Sequence, residues 1–219
     1  MFYGMPPGVY LADVDGDLVL LDARRNAYFC LPRMHAAGLK TALTNSNRFR
    51  PDVAMLDELE ATGLFSMIEA PSRATAPAMT AETDLFQVRG AKARLTPARL
   101  LRLVAAAGTA YRDIWLAKPQ RWFRKIAGRN ARSARDDLTT LYALARLAWD
   151  AQPFFPGTAR CLTSSLFLLH FLHAQGFAAR WVFGVKTYPF EAHCWVEHGD
   201  VVLNDSLEHV RSFTPIVAI

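Results

Sequence analysis

The stretch from Cys161 to Asp205 constrains this chain more than any other. It opens Arg160-Cys161-Leu162-Thr163-Ser164-Ser165-Leu166 and stays apolar to Phe177, broken only by a few polar residues such as His170, His173 and Gln175. Gly176 is a suitable residue to end a helix there. Two β-rich runs follow, Ala178–Val185 and Glu191–Glu197, and then Val201-Val202-Leu203-Asn204-Asp205. Tyr188-Pro189-Phe190 and His198-Gly199-Asp200 punctuate them. An apolar helix feeding a hairpin predicts an α+β fold, with a cysteine at the helix start, a histidine on one strand and an aspartate on the next.

Those three residue types in that order suit nucleophilic catalysis on an acyl group. Pro156-Gly157-Thr158 closes the preceding loop, so with Gly157 or Thr158 as the cap Cys161 falls in the first turn or two. Unpaired N–H groups and the helix dipole there favour a thiolate and offer donors to an oxyanion. Along the strand, His193, Trp195 and Glu197 share one face and Ala192, Cys194 and Val196 the other. Cys194 is therefore not expected to be the nucleophile, and Cys194→Ala is expected to leave cleavage nearly normal.

The hairpin register decides whether His193 meets Asp205. A three-residue loop of His198, Gly199 and Asp200 pairs Glu197 with Val201 and sets His193 opposite Asp205, with Cβ atoms about 4.5–5.5 Å apart. A two-residue Gly199-Asp200 loop instead sets Ser206 opposite His193 and turns Asp205 to the other face. No metal site is expected. His170 and His173 lie three apart on a helix face taken as partly exposed, more than two turns from Cys161.

Elsewhere the chain divides in two. Residues 1–70 contain three short strands, Val9–Asp13, Leu18–Asp22 and Ala27–Leu31, with a tight turn at Asp15-Gly16-Asp17. Helices are expected near Arg33–Leu43 and from Pro51 through Leu64, ended by Gly63. This β-β-β-α-α order suits a small winged-helix-like domain. Ala70–Ala78, rich in small residues with two prolines, reads as a linker. Residues 71–94 are assigned to that linker and a lead-in, and 95–219 to the second domain. Helices are expected from Pro97, with Leu100, Leu101, Val104 and Ala105 as the apolar face, across Tyr111–Ile126 with a break at Pro119, and over Ser133–Trp149. Trp115, Trp122 and Trp149 are expected to be core anchors.

Composition narrows the setting. Three cysteines, Cys30, Cys161 and Cys194, are too few and too odd in number for a disulfide framework. A reducing cytoplasm is expected, since no signal peptide or membrane-length apolar run is visible. The net charge of +5 concentrates in residues 71–150, which carry 15 basic and 6 acidic side chains. Interleaving with helix-spaced apolar residues makes these solvated helix faces. Residues 1–70 carry a net negative charge and no basic recognition helix, so a non-enzymatic DNA-binding regulator is the weaker alternative and no nucleic-acid or membrane partner is expected.

Arg160-Cys161-Leu162-x-x-Ser165-Leu166, Ala192-His193-Cys194-Trp195-Val196-Glu197 and Leu203-Asn204-Asp205 together resemble the transglutaminase-like cysteine proteases of bacterial lasso-peptide biosynthesis, the B proteins. The resemblance covers roughly residues 95–219. It places the family's catalytic Cys, His and Asp at Cys161, His193 and Asp205. Cys194 stands where the family usually has a small residue such as Ala. Residues 1–70 resemble, more weakly, the PqqD-like precursor-recognition element. The resemblance implies a leader peptidase needing no cofactor for its thiol chemistry. The recognition element would take the precursor's leader as an added strand, with Tyr28, Phe29, Leu56 and Leu59 as candidate groove residues. An ATP-dependent, asparagine-synthetase-like cyclase would then act on the freed core peptide. A transglutaminase-like acyltransferase or amidase is the alternative on the same fold.

Overall fold

The computed structural model describes residues 2–33, 61–68, 77, 79–90, 92–116, 118–133, 135–155, 157 and 160–219. Its described elements confirm the mixed α+β class. The three N-terminal strands form as expected: β1 (Phe2–Gly4) precedes them, and β2 (Val9–Val14), β3 (Asp17–Asp22) and β4 (Ala27–Leu31) make an antiparallel meander. Asp15 and Gly16 close the β2–β3 turn at φ of 51° and 102°. Positive φ at both central residues is the type I′ requirement, which explains an Asp-Gly pair here. β5 (Ser66–Ile68) pairs with β1. The expected helices at 33–43 and 51–64 fall almost entirely outside the described residues, as do Leu56, Leu59 and most of the Pro71–Pro77 stretch. Gly63 has a φ of 66°, in keeping with a helix-ending role.

The meander is not set apart from the rest. β3 is buried along its whole length because both of its faces are covered. Val19 and Leu21, with Ala12 and Val14 of β2, join the main core beside Phe123, Phe171 and Phe183. Leu18, Leu20 and Val9 close on Met5, Leu64 and Phe65 from the other side. Leu18-Val19-Leu20-Leu21 is an unbroken apolar run, the pattern of a strand covered on both faces.

Three helices precede the site: α1 (Pro97–Leu116), α2 (Pro119–Asn130) and α3 (Leu138–Ala151). Pro119 opens a new helix rather than kinking one, as suits proline in a first turn. α3 begins later than Ser133 because Asp137 caps it, accepting from the Thr140 N–H at 3.0 Å. The expected apolar face of α1 is overturned: Leu100, Leu101 and Val104 are exposed, and Leu103, Ala106, Ala107 and Ala110 are buried. Small alanines let α1 approach the central helix of residues 161–173 closely, and that packing outweighs the larger hydrophobes. Trp115 is likewise no core anchor, being 83% exposed. Trp149 is partly exposed, and Trp122 is buried with its indole N–H donating to the Asp113 carbonyl at 2.6 Å.

α4 (Cys161–His173) is the central helix, buried from Thr163 to Leu172. It packs on a five-stranded sheet in the order β10-β7-β8-β9-β6, made of β6 (Thr83–Asp84), β7 (Arg180–Lys186), β8 (Glu191–His198), β9 (Val201–Val202) and β10 (Thr214–Ala218). Every pairing is antiparallel except β6 with β9. The region read as linker and lead-in therefore supplies an edge strand, and Ala81 and Leu85 beside it are buried. A short helix, α5 (Leu207–Val210), links β9 to β10.

His170 is not on an exposed face. Its Nε2 lies 3.0 Å from Asp113 Oδ2, and Arg129 Nη1 lies 2.9 Å from its Nδ1. Lys125 pairs with the same Asp113 carboxylate. Burial, then the neighbouring Lys125, pushes the imidazole down to about 3. A neutral ring accepting from Arg129 at Nδ1 and donating to Asp113 at Nε2 satisfies every partner, so this network ties α1, α2 and α4 together.

Candidate active site

Cys161 is the first residue of α4. Arg160, rather than Gly157 or Thr158, is the cap, with φ −82° and ψ 134° and no side-chain capping bond. The first-turn N–H groups therefore have no intrahelical acceptor, and Cys161 and Ser164 of that turn line a cleft. That cleft has a volume of about 570 Å³ and is lined by Trp149, Pro153 and Phe155 on its apolar side and by Gln152, Asn204 and His209 among its polar groups. Cys161, His193, Cys194 and Asp205 all border it.

His193 Nε2 lies 2.6 Å from Asp205 Oδ2. The route to that contact differs from the expected one. Glu197 pairs with Val202 and His198 with Val201, so the loop is the two-residue Gly199-Asp200, with Gly199 at φ 61°. In a continued ladder this register would turn Asp205 away. The ladder stops first: β9 has two residues, Leu203 makes one more bond to the Val196 carbonyl, and Asn204 Oδ1 then accepts from the Val196 N–H at 2.7 Å. A side chain thus replaces the backbone partner. Past it the chain bends out of the strand, strand parity no longer applies, and the Asp205 carboxylate swings back over His193.

Carboxylate acceptors hold this bend. Asp84 Oδ2 on the neighbouring segment takes the Leu207 N–H at 3.0 Å, and Asp205 Oδ1 takes the Ser206 N–H at 2.7 Å. Asp205 Oδ2 also meets His209 Nδ1 at 2.9 Å, so one carboxylate bridges two imidazoles. Burial opposes ionisation of Asp205, but the two histidines hold its carboxyl below the usual range. Behind His193 the Trp195 ring stacks at 6.0 Å and donates its N–H to Glu197 Oε1 at 2.6 Å. Gly184 pairs with His193 across the sheet, and a Cβ there would fall 2.7 Å from the Trp195 ring. Only glycine leaves the indole its place.

Electrostatically the site is a thiolate–imidazolium pair. The Cys161 thiol is lowered to about 4 by hydrogen bonding from the Cys194 thiol, then, against burial, by His193 and by the Cys194 backbone N–H. His193 is raised to about 9: burial opposes its charge, and the Asp205 carboxylate and the Cys161 thiolate outweigh that. With Nε2 engaged by Asp205, Nδ1 is the nitrogen left for the thiol. Such a pair can attack an acyl carbon and then return a proton to the leaving group.

Strand parity spoke only against Cys194 as the nucleophile; the structure adds a contact that parity did not foresee. Cys194 does point to the face opposite His193, but α4 packs on that face. Its thiol meets Ser165 Oγ at 3.8 Å, one turn along from Cys161, and hydrogen-bonds the Cys161 sulfur. Burial and the adjacent thiolate push the Cys194 thiol well up, so it stays protonated and serves as a donor. Tyr28 is turned inward, its ring centroid 5.7 Å from that of Phe190, while Phe29 is exposed on β4, an edge strand of the meander. His209, Asn204 and Asp84 had no role in the sequence reading. His209 alone carried a signal, lying four residues past Asp205.

The chain is 46% identical over 46 residues to the microcin J25-processing protein McjB of Escherichia coli. That alignment covers 21% of this chain and spans about a fifth (22%) of the relative's length. No solved structure gives a significant match. The family model of the transglutaminase-like superfamily matches residues 100–218, which run from within α1 to the end of β10 and include Cys161, His193 and Asp205, and the chain belongs to that superfamily.

Proposed function

We propose that this protein is a thiol peptidase that removes the leader from a ribosomally made precursor of the lasso-peptide class. The observation that carries the proposal is Cys161 at a helix start beside the 2.6 Å His193–Asp205 contact, in a chain similar to a microcin-processing protein. Cys161 attacks the carbonyl of the last leader residue, and the helix-start N–H groups stabilise the oxyanion. His193, held by Asp205, protonates the leaving amine, releasing the core peptide with a free N-terminus and leaving a thioester. Water, deprotonated by His193, then hydrolyses the thioester.

Residues 1–70 are the proposed leader-recognition element, PqqD-like in kind. Among the described residues β4 is an edge strand that could take an added strand, with Phe29 exposed on it and Tyr28 turned toward the catalytic core. A leader paired there would lie close to Cys161, raising the effective concentration of the scissile bond. The reaction belongs in the cytoplasm, where Cys161 stays reduced, and among the described residues no helix is long and apolar enough to cross a membrane. An ATP-dependent, asparagine-synthetase-like cyclase is the proposed partner that consumes the freed amine.

The test is incubation of the full chain with the precursor peptide encoded beside it, followed by mass spectrometry. Wild-type protein is expected to yield leader and core, whereas Cys161→Ala and His193→Ala bind leader without cutting. Unimpaired cleavage by Cys161→Ala would end the thiol mechanism.

A further inference from the structure

The Asp205 carboxylate faces two imidazoles, and peptidase chemistry needs only one of them. His193 Nε2 and His209 Nδ1 both point at Asp205 Oδ2, at 2.6 and 2.9 Å. One donor atom from each of the three residues lies within 4.8 Å of the other two. Zinc-class bonds of about 2.0–2.2 Å place tetrahedral ligands roughly 3.3 Å apart, so shifts below about 1 Å would let these donors share one ion. Two imidazoles and a carboxylate suit such a metal. All three residues line the cleft, and the half-exposed His209 gives an ion a way in from solvent. Phe213, 5.2 Å from the His193 ring and 5.4 Å from the His209 ring, limits how far either can swing.

We propose that His193, Asp205 and His209 form an inhibitory site for a zinc-class divalent cation. Metal bound at Nε2 takes the place of the proton His193 shares with Asp205. A neutral imidazole so bound keeps its remaining proton on Nδ1, facing Cys161. It then has no lone pair for the thiol proton, and releasing its own proton would leave a metal-bound imidazolate. The proton relay stalls in both directions, and metal binding and turnover exclude one another. The blocking role rests on the peptidase proposal; the binding site does not.

Binding is therefore measured without turnover. Zinc chloride is titrated by calorimetry into full-length Cys161→Ala, which lacks the thiolate that would otherwise compete for metal. One zinc per chain with micromolar affinity is expected, weakened at least about tenfold by adding His209→Ala. Equal affinity with and without His209, no binding up to about 1 mM zinc, or binding that requires Cys161 would each overturn the site. In the second arm, wild type is assayed for precursor cleavage across the same zinc range. Inhibition reversed by a chelator is expected, with His209→Ala needing at least about tenfold more zinc to lose half of its own metal-free rate. Zinc binding without inhibition would overturn the blocking role while leaving the site intact.

Discussion

Cys194→Ala tests the electrostatics of the site most sharply. The substitution removes the buried thiol that hydrogen-bonds Cys161, and leaves His193 and Asp205 in place. A hydrogen bond to a charged group contributes about 1.5–3 kcal/mol, and S–H is a weak donor, so the lower figure applies. At about 1.4 kcal/mol per pKa unit, losing ~1.5 kcal/mol raises the Cys161 thiol by about one unit. Half-ionisation then moves from about 4 to about 5. At pH 5 the thiolate fraction falls from about nine-tenths to about half, while at pH 7 both forms remain ionised. Near-normal cleavage at neutral pH is thus retained and the defect shows only in acid.

The assay is the pH dependence of iodoacetamide alkylation, read by peptide mass so that Cys161 is separated from the exposed Cys30. An unchanged midpoint would show that Cys194 does not reach the thiolate. A return to the ordinary thiol value of 9.0 would show that the His193 imidazolium contributes nothing, and would refute the ion pair.

Wild-type kcat/KM for precursor cleavage is expected to be bell-shaped in pH, because the Cys161 thiolate is lost as pH falls through about 4 and the His193 imidazolium as pH rises through about 9. Asp205→Asn keeps the shape but not the charge that holds His193, and kcat should drop by about 10²–10⁴ in the same assay, with the alkaline limb moving to lower pH. Gly184→Ala drives a methyl to 2.7 Å from the Trp195 ring and 2.9 Å from Phe213 Cβ, costing about 1–3 kcal/mol in denaturant melts. Asp113→Ala strands Lys125 and His170 without their carboxylate, and should lower stability by about 3–5 kcal/mol in the same melts.

Much of this site was legible because it depends on local pattern. An apolar run with a cysteine at its head specifies a buried helix and its first turn, and alternation along Glu191–Glu197 specifies which side chains share a face. The Asp-Gly turn and the unbroken Leu18–Leu21 run carried equally local information. The run even holds the signal that β3 is covered on both sides. The α1 face misled because periodicity reports that a stripe of small residues exists, but not that a partner helix prefers it to leucines.

By itself, then, the sequence determined the helix headed by Cys161 and the strand that carries His193, since each rests on neighbours within a few residues. Only the tertiary structure decided how Asp205 reaches His193. The register is the one that should have turned it away, and the contact forms because Asn204 ends the ladder and Asp84 catches the Leu207 N–H 123 positions along the chain. Tertiary packing also brought Cys194 to Cys161, by laying α4 on the strand face opposite His193. Such contacts join residues with no periodic relation, so their physical cause, a buried polar group finding its partner, appears only once the chain is folded.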